Sequence, residues 1–248
     1  MSADAGKAMG DVKAKAGRGA ARAASSAKAL SHNLNGQRLG RKGRDTRDRI
    51  LAATQELLAG PADVQISLSA VARNASLGMT SLYLYFNDLT ELLLAVLEPV
   101  MATAEDAYVS LLRTRWSDDE LGAHAREFVK AYHNFWVQNS RILHLRNSMA
   151  DHNDQRMMFH RVRSAQPVMR LLVEQMDGDL SQPGSPVFSM ATALMTGLER
   201  VVTVTTDANL PTLLQSPIAF RGNLLDAEAR LVELGIRDYR ALAGKPAA

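Results

Sequence analysis

Cysteine is absent from the chain, which excludes disulfides and any thiolate-based metal or redox site. Aromatic residues make up only 5% of it, so aliphatic side chains and methionine must build whatever core exists. Gly and Pro are sparse between residues 45 and 180, and without such punctuation the expected fold class is all-α. No window holds 18 uninterrupted apolar residues, so no transmembrane span and no membrane partner are expected. The basic, Ala-rich N-terminus has no apolar h-region and does not read as a secretory signal. A cytoplasmic location fits. A phosphate-cradling glycine loop, a GxSxG elbow and an HExxH helix are all missing, so neither catalysis nor a cofactor is expected.

With 248 residues there is enough chain for one small and one medium domain. The charge is unevenly spread. Residues 1–44 carry five Lys and five Arg against Asp4 and Asp11, while the remainder is net acidic. Residues 1–43 are rich in Ala, Gly, Ser, Lys and Arg with few sizeable aliphatics, a composition that cannot offset the entropy of ordering. They are expected to form a disordered basic arm. Its end, with Arg38, Arg41, Lys42 and Arg44, either follows a DNA minor groove or is a solubilising tail.

From Asp45 the pattern turns helical, with Ile50, Leu51, Thr54, Leu57 and Leu58 on one face and Gly60-Pro61 as a stop. Ser67 can cap a short helix that places Leu68, Val71, Ala72 and Ala75 on one side. Ser76-Leu77-Gly78-Met79 interrupts it, with Gly78 the residue expected to take unusual backbone angles. A second short helix from about Thr80 buries Leu82 and Phe86 and leaves Ser81, Tyr83, Leu84 and Tyr85 to face elsewhere. Two short helices joined by a tight turn describe a helix-turn-helix, whose second helix meets base edges in the major groove. The residues expected to touch DNA are Arg41, Lys42, Arg44, Arg47, Ser67, Met79, Thr80, Ser81, Tyr83 and Tyr85.

The run Leu82-Tyr83-x-Tyr85-Phe86 followed by Leu92-Leu93, with Arg47-x-x-Ile50-Leu51-x-Ala53 and Val71-Ala72 upstream, resembles the signature of TetR/AcrR-type regulators over roughly residues 44 to 97. Ser76 stands where that family usually has Gly, Tyr85 where it usually has His, and Asp88-Leu89 where it usually has Ser-Lys. The resemblance implies a three-helix DNA-binding head over residues 44–90 and a helical effector-binding and dimerisation domain over 91–248. It implies a homodimer on a palindromic double-stranded DNA operator, hence a nucleoid-associated regulator, released by a small molecule. In such proteins the last two long helices pair with their copies, which here are residues 187–206 and 223–242. The helix from Asp88, with Pro99 inside it and a kink expected there, would join head and body.

Ser117 to Glu120 read as a capping box before an aromatic helix face: Phe128, Tyr132, Phe135 and Trp136. Further helices are expected over about 140–150 and 153–176, a loop over 177–186, and an irregular connection over 207–222. Residues 187–206 are apolar nearly all round, so that helix should be buried in a core or between subunits. If the family mechanism holds, a hydrophobic or aromatic effector would meet Phe128, Tyr132, His133, Trp136, Arg146, Met157, Met158 and Met169. His144, His152 and His160 recur every eight residues, a spacing compatible with a metal but met more often in solvated or core histidines; no metal is expected. The other functional class is a constitutive architectural DNA-binding protein, which the basic arm motivates and which would need no effector.

Overall fold

A computed structural model describes residues 40–61, 64–182, 184–208 and 217–243. Among them every regular element is helical, in two compact units: one holds residues 40–60 and 64–92, the other residues 93 onward. Of the expected arm, residues 1–39 lie outside the described residues. Arg41 to Gly43 are already helical.

In the first unit, α1 (Arg41–Ala59) starts four residues before Asp45, its ladder opened by the Arg44 N–H on the Gly40 carbonyl at 3.1 Å. It buries Ile50, Ala53 and Thr54 and stops at Gly60. α2 (Leu68–Asn74) is tied back to it by the Asn74 amide, which donates to the Ala53 carbonyl at 3.1 Å and to Glu56 at 2.9 Å. α3 (Met79–Leu82) is a single turn. α4 (Leu89–Ala102) begins in the first unit and continues in the second. Its start is capped by side chains on both sides: Asp88 accepts from the Glu91 N–H at 2.8 Å, and Glu91 reaches past it to accept from the Asn87 N–H at 2.7 Å. α4 stays helical through Pro99 and ends three residues later, so the missing N–H falls in the last turn.

In the second unit, α5 (Ala104–Ala107) runs into a 3-10 turn at Val109–Leu112. α6 (Leu121–Gln138) starts at Leu121; the Ser117–Glu120 segment forms a preceding turn, and Glu120 rather than Ser117 is the N-cap residue. It buries Leu121, Ala125, Phe128, Val129, Tyr132, Phe135 and Trp136 on one stripe. Each such Leu, Val or Phe contributes ~1.5–3 kcal/mol relative to exposure, so this stripe holds the helix in place. α7 (Ser140–Asp151) and α8 (Gln155–Gln175) follow, the latter capped by Asp154 and unbroken at Pro167. α9 (Pro186–Thr205) is capped by Ser185. α10 (Pro217–Ala243) begins six residues before Asn223, so the irregular connection expected over 207–222 is helical from Pro217.

α9 was expected to be buried in a core or between subunits, and this chain alone covers one side of it. Within this chain only one face is buried, formed by Ala191, Leu194, Met195, Leu198, Val202 and Thr205. Ala193 and Thr196 are exposed, and Phe188, Met190, Val201 and Val204 only half-covered. By length and composition alone α9 could cross a membrane; its buried face instead packs on α8 and α10. Gly197 and Gly235 let α9 and α10 close up, since a Cβ there would stand 3.2 Å from the Glu228 carboxylate and 3.0 Å from Leu194.

Arg240 of α10 closes the far end of this unit. It is buried and donates to the Gln175 carbonyl at 2.7 Å, the Trp116 carbonyl at 2.9 Å, the Gln175 side-chain oxygen at 3.1 Å and Asp118 at 2.5 Å. Gln175 in turn donates to the carbonyls of Leu112 and Thr114 and accepts from the Trp116 N–H. One guanidinium therefore satisfies the frayed end of α8 and the 112–118 loop together.

Candidate DNA-reading surface and effector cavity

Ser67 caps α2 by accepting from the Ala70 N–H at 3.2 Å, and its oxygen lies 3.0 Å from that of Ser69. After Ala75 the chain reverses at Ser76, with φ of 52°. Gly78, expected to hold the unusual angles, has φ of −74°. The left-handed residue is thus the serine that replaces the family's usual glycine, an arrangement costing ~1–2 kcal/mol against a relaxed backbone. α3 and the turn after it bury Leu82 and Phe86 completely. Thr80 is exposed, Tyr83 is 48% exposed, and Met79, Ser81 and Tyr85 are half-buried. Two short helices thus present hydroxyls outward from an apolar footing.

The cations of this unit lie elsewhere. Arg41, Lys42 and Arg44 are exposed on the first turn of α1, whereas Arg47 is half-buried with its guanidinium 5.3 Å from the centre of the Phe86 ring. Arg47 is therefore a packing residue as much as a DNA candidate. Ser67 likewise has its hydroxyl engaged in the cap. Residues 74 to 112 contain no Lys or Arg, so the described cations of this unit are those of α1 and Arg73. Ser69 and Arg73, one helical turn apart and exposed on α2, extend the set expected to touch DNA; their spacing was the available signal. Leu84, 41% exposed beside Tyr83, faces outward as expected and adds an apolar member to the surface.

Inside the second unit, five helices and the Tyr108 corner converge on a small cavity of about 10 Å³, enough for about one water-sized probe. Tyr132, Phe135 and Trp136 come from α6, Met101 from α4, Leu143 and Arg146 from α7, Arg161, Ser164 and Ala165 from α8, and Met195 and Glu199 from α9. The Tyr108 ring stands edge-on to Tyr132 at 4.8 Å and to Phe135 at 5.1 Å. Opposed to this aromatic wall is a charge network. Arg146 donates to Glu199 at 3.1 Å, to Ser164 at 3.2 Å and to Asn147 at 3.0 Å, with its guanidinium 5.8 Å from the Trp136 ring. Arg161 pairs with the same Glu199 oxygen at 3.3 Å and with Asp151 at 2.9 Å.

Burial depresses the Arg146 pKa while Glu199 opposes the shift, and a guanidinium stays charged regardless. Burial also pushes the Tyr108 phenol up to about 12 and raises that of Tyr132, so both remain neutral hydrogen-bonding groups at pH 7.

Of the residues expected around an effector, the structure brings Tyr132, Trp136 and Arg146 to the cavity. Phe128 is buried behind them, its ring 6.3 Å from that of Tyr132. Met157 is buried away from the lining, Met158 is 40% exposed, and His133 is half-buried off the lining. Met169 turns to α9, where its sulfur accepts from the Thr192 hydroxyl at 3.7 Å. Tyr108, Arg161, Ser164 and Glu199 join the lining without having been expected there; no local pattern marks a pair such as Arg146 and Glu199, 53 residues apart. The three spaced histidines do not converge. His144 lies 3.0 Å from the Thr206 hydroxyl, His152 bonds the Ser148 carbonyl, and His160 borders a different groove.

No protein-family model and no curated protein matches the chain. Solved structures do. A candidate transcriptional regulator from Streptomyces coelicolor A3(2) is 18% identical, over 76% of this chain and 98% of the other, with a TM-score of 0.53. The chain shares the all-helical fold of that regulator. A TetR-like transcriptional regulator from Rhodococcus sp. RHA1 is 19% identical over 84% of this chain and 100% of the other, with a TM-score of 0.49. At such identities the likeness is one of fold.

Proposed function

We propose that the chain is a ligand-responsive transcriptional repressor of the TetR family, which binds a palindromic operator as a homodimer. The observation that carries this reading is the helix-turn-helix itself. Leu82 and Phe86 anchor α3 while Thr80 and Tyr83 project from it, the division of labour a reading helix requires. Dimerisation is supported by a face of half-covered apolar residues on α9, Phe188, Met190, Val201 and Val204, and by exposed Leu231 and Leu234 on α10. Pairing of residues 187–206 and 223–242 with their copies would cover that face. The effector reading rests on the aromatic wall and Arg146–Glu199 network, a cavity that must widen to admit a molecule. An effector acts as a switch only if it binds the DNA-incompetent state more tightly than the other.

The lack of any Lys or Arg over residues 74–112 favours a second reading, an architectural protein that grips the backbone through α1 and its N-terminal extension. Footprinting on DNA flanking the protein's own coding region separates the two. The repressor protects one near-palindromic site with half-sites about one turn, ~34–36 Å, apart. Uniform weak protection without a preferred site would establish the architectural role instead.

A further inference from the structure

α8 leaves Phe159 66% exposed, with Met158 and Val162 beside it at 40% and 49%. Phe159 does not stand on a flat surface. It forms part of a groove of about 420 Å³ lined by Leu94 of α4 and by Gln155, Arg156, Phe159, His160 and Arg163 of α8. Positions 156, 159, 160 and 163 follow the three-four spacing of one helix face, so two guanidiniums bracket an aromatic ring and an imidazole. The volume falls within the ~300–1,000 Å³ of small-molecule sites.

The charges define the occupant. Arg156 is partly neutralised by Asp154, 3.8 Å away, whose carboxylate also caps the helix. Arg163 forms no ion pair among the described residues. The His160 Nδ1 is buried with no hydrogen-bond partner among them. Burial, helped by the nearby Arg146 charge, holds this imidazole down at about 4, so at pH 7 it offers a neutral ring rather than a third cation. The balance is roughly one uncompensated guanidinium above an apolar floor of Phe159 and Leu94.

We propose that this groove is a second binding site, separate from the inner cavity, for a small monoanion: a carboxylate on an apolar body. The carboxylate would sit on the Arg163 fork and the apolar body would cover Phe159 and Leu94. The site does not depend on the chain being a DNA-binding regulator.

Calorimetric titration of the full chain with 2-naphthoate, and with 2-naphthylmethylammonium as the cationic counterpart, tests the assignment. Naphthoate should bind once per chain and at least about tenfold more tightly than the amine. Arg163→Gln should weaken naphthoate about tenfold, the loss of one charge-assisted hydrogen bond. Phe159→Ser should weaken both probes, and its exposed position makes loss of the fold an unconvincing alternative. Two-dimensional NMR of the His160 imidazole should shift on adding naphthoate. Equal binding of the two probes, no binding of naphthoate, or affinity untouched by both substitutions would overturn the proposal; in the last case the inner cavity is the site.

Discussion

Replacing Arg240 by Ala removes the donor shared by three buried acceptors: the Gln175 carbonyl, the Trp116 carbonyl and the Gln175 side-chain oxygen. The Gln175 side-chain oxygen keeps the Trp116 N–H, but a buried acceptor left without a partner costs ~1–3 kcal/mol, so the two carbonyls together give at least ~2 kcal/mol. The ion pair with Asp118 adds little, because that carboxylate is 64% exposed. Removing one side of a buried charged cluster typically costs ~3–5 kcal/mol, which agrees. Lys at 240 keeps the charge but lacks the fork and should recover less than half. Both tryptophans, Trp116 and Trp136, lie in the second unit, so their fluorescence during urea unfolding follows that unit without interference from the first. Arg230→Ala is the matched control: its pair with Glu233 at 2.7 Å is largely solvent-exposed on the arginine side and should cost under ~1 kcal/mol. If Arg240→Ala unfolds within ~1 kcal/mol of the parent, the hub does not hold α8, α10 and the 112–118 loop together, and the reasoning fails.

Ser76→Gly should stabilise the first unit by ~0.5–1 kcal/mol, the relief of the left-handed serine less the extra unfolded-state entropy of glycine; slower amide exchange at Val71 and Leu82 reads it. Gly178→Ala should destabilise by ~1–3 kcal/mol, because its Cβ would stand 2.8 Å from a methyl of Val187 and 2.9 Å from one of Val173; the urea midpoint measures it. Burial raises the Glu228 pKa with no cation to oppose it. The unfolded chain therefore loses this proton first as pH rises, and the native state loses relative stability between the ordinary carboxylate pKa and the raised one. Glu228→Gln should accordingly raise the melting temperature at pH 7, with the gain vanishing below the ordinary carboxylate range; a constant gain at all pH would contradict it. Substituting Arg41, Lys42 and Arg44 by Gln should lower the log–log salt slope of DNA binding by about 0.9 for each phosphate no longer neutralised, and an unchanged slope would remove α1 from the interface.

What could be read from the sequence, and what could not, divides by the range of the interaction. The stripe of α6 was visible because Leu121, Ala125, Phe128, Val129, Tyr132 and Trp136 repeat at helical spacing, and the Ser67 cap because a cap is chosen within three residues. The substitutions at 76 and 88 mark the boundary. Asp88 could have been recognised as an N-cap, since aspartate three residues before Glu91 can accept from its N–H, as it does. Ser76 could not, because it holds the left-handed position of a Schellman cap, with the Leu77 N–H on the Ala72 carbonyl at 2.8 Å and its own N–H on the Arg73 carbonyl at 3.1 Å, a place that glycine rather than serine usually marks. The same limit applied to Gly78, whose freedom goes unused at φ −74°. Farther still, Arg146 with Glu199 and Arg240 with Gln175 are joined only by the fold. Each is a polar contact in an apolar interior, where hydrophobic periodicity carries no information about which charge will meet which. Sequence reasoning therefore found the aromatic half of the inner cavity and, of the charged half, only Arg146. On the proposed effector reading, that half sets the polar edge a ligand would have to bring, and Glu199, holding Arg146 and Arg161 at once, is the residue on which such an edge would have to compete.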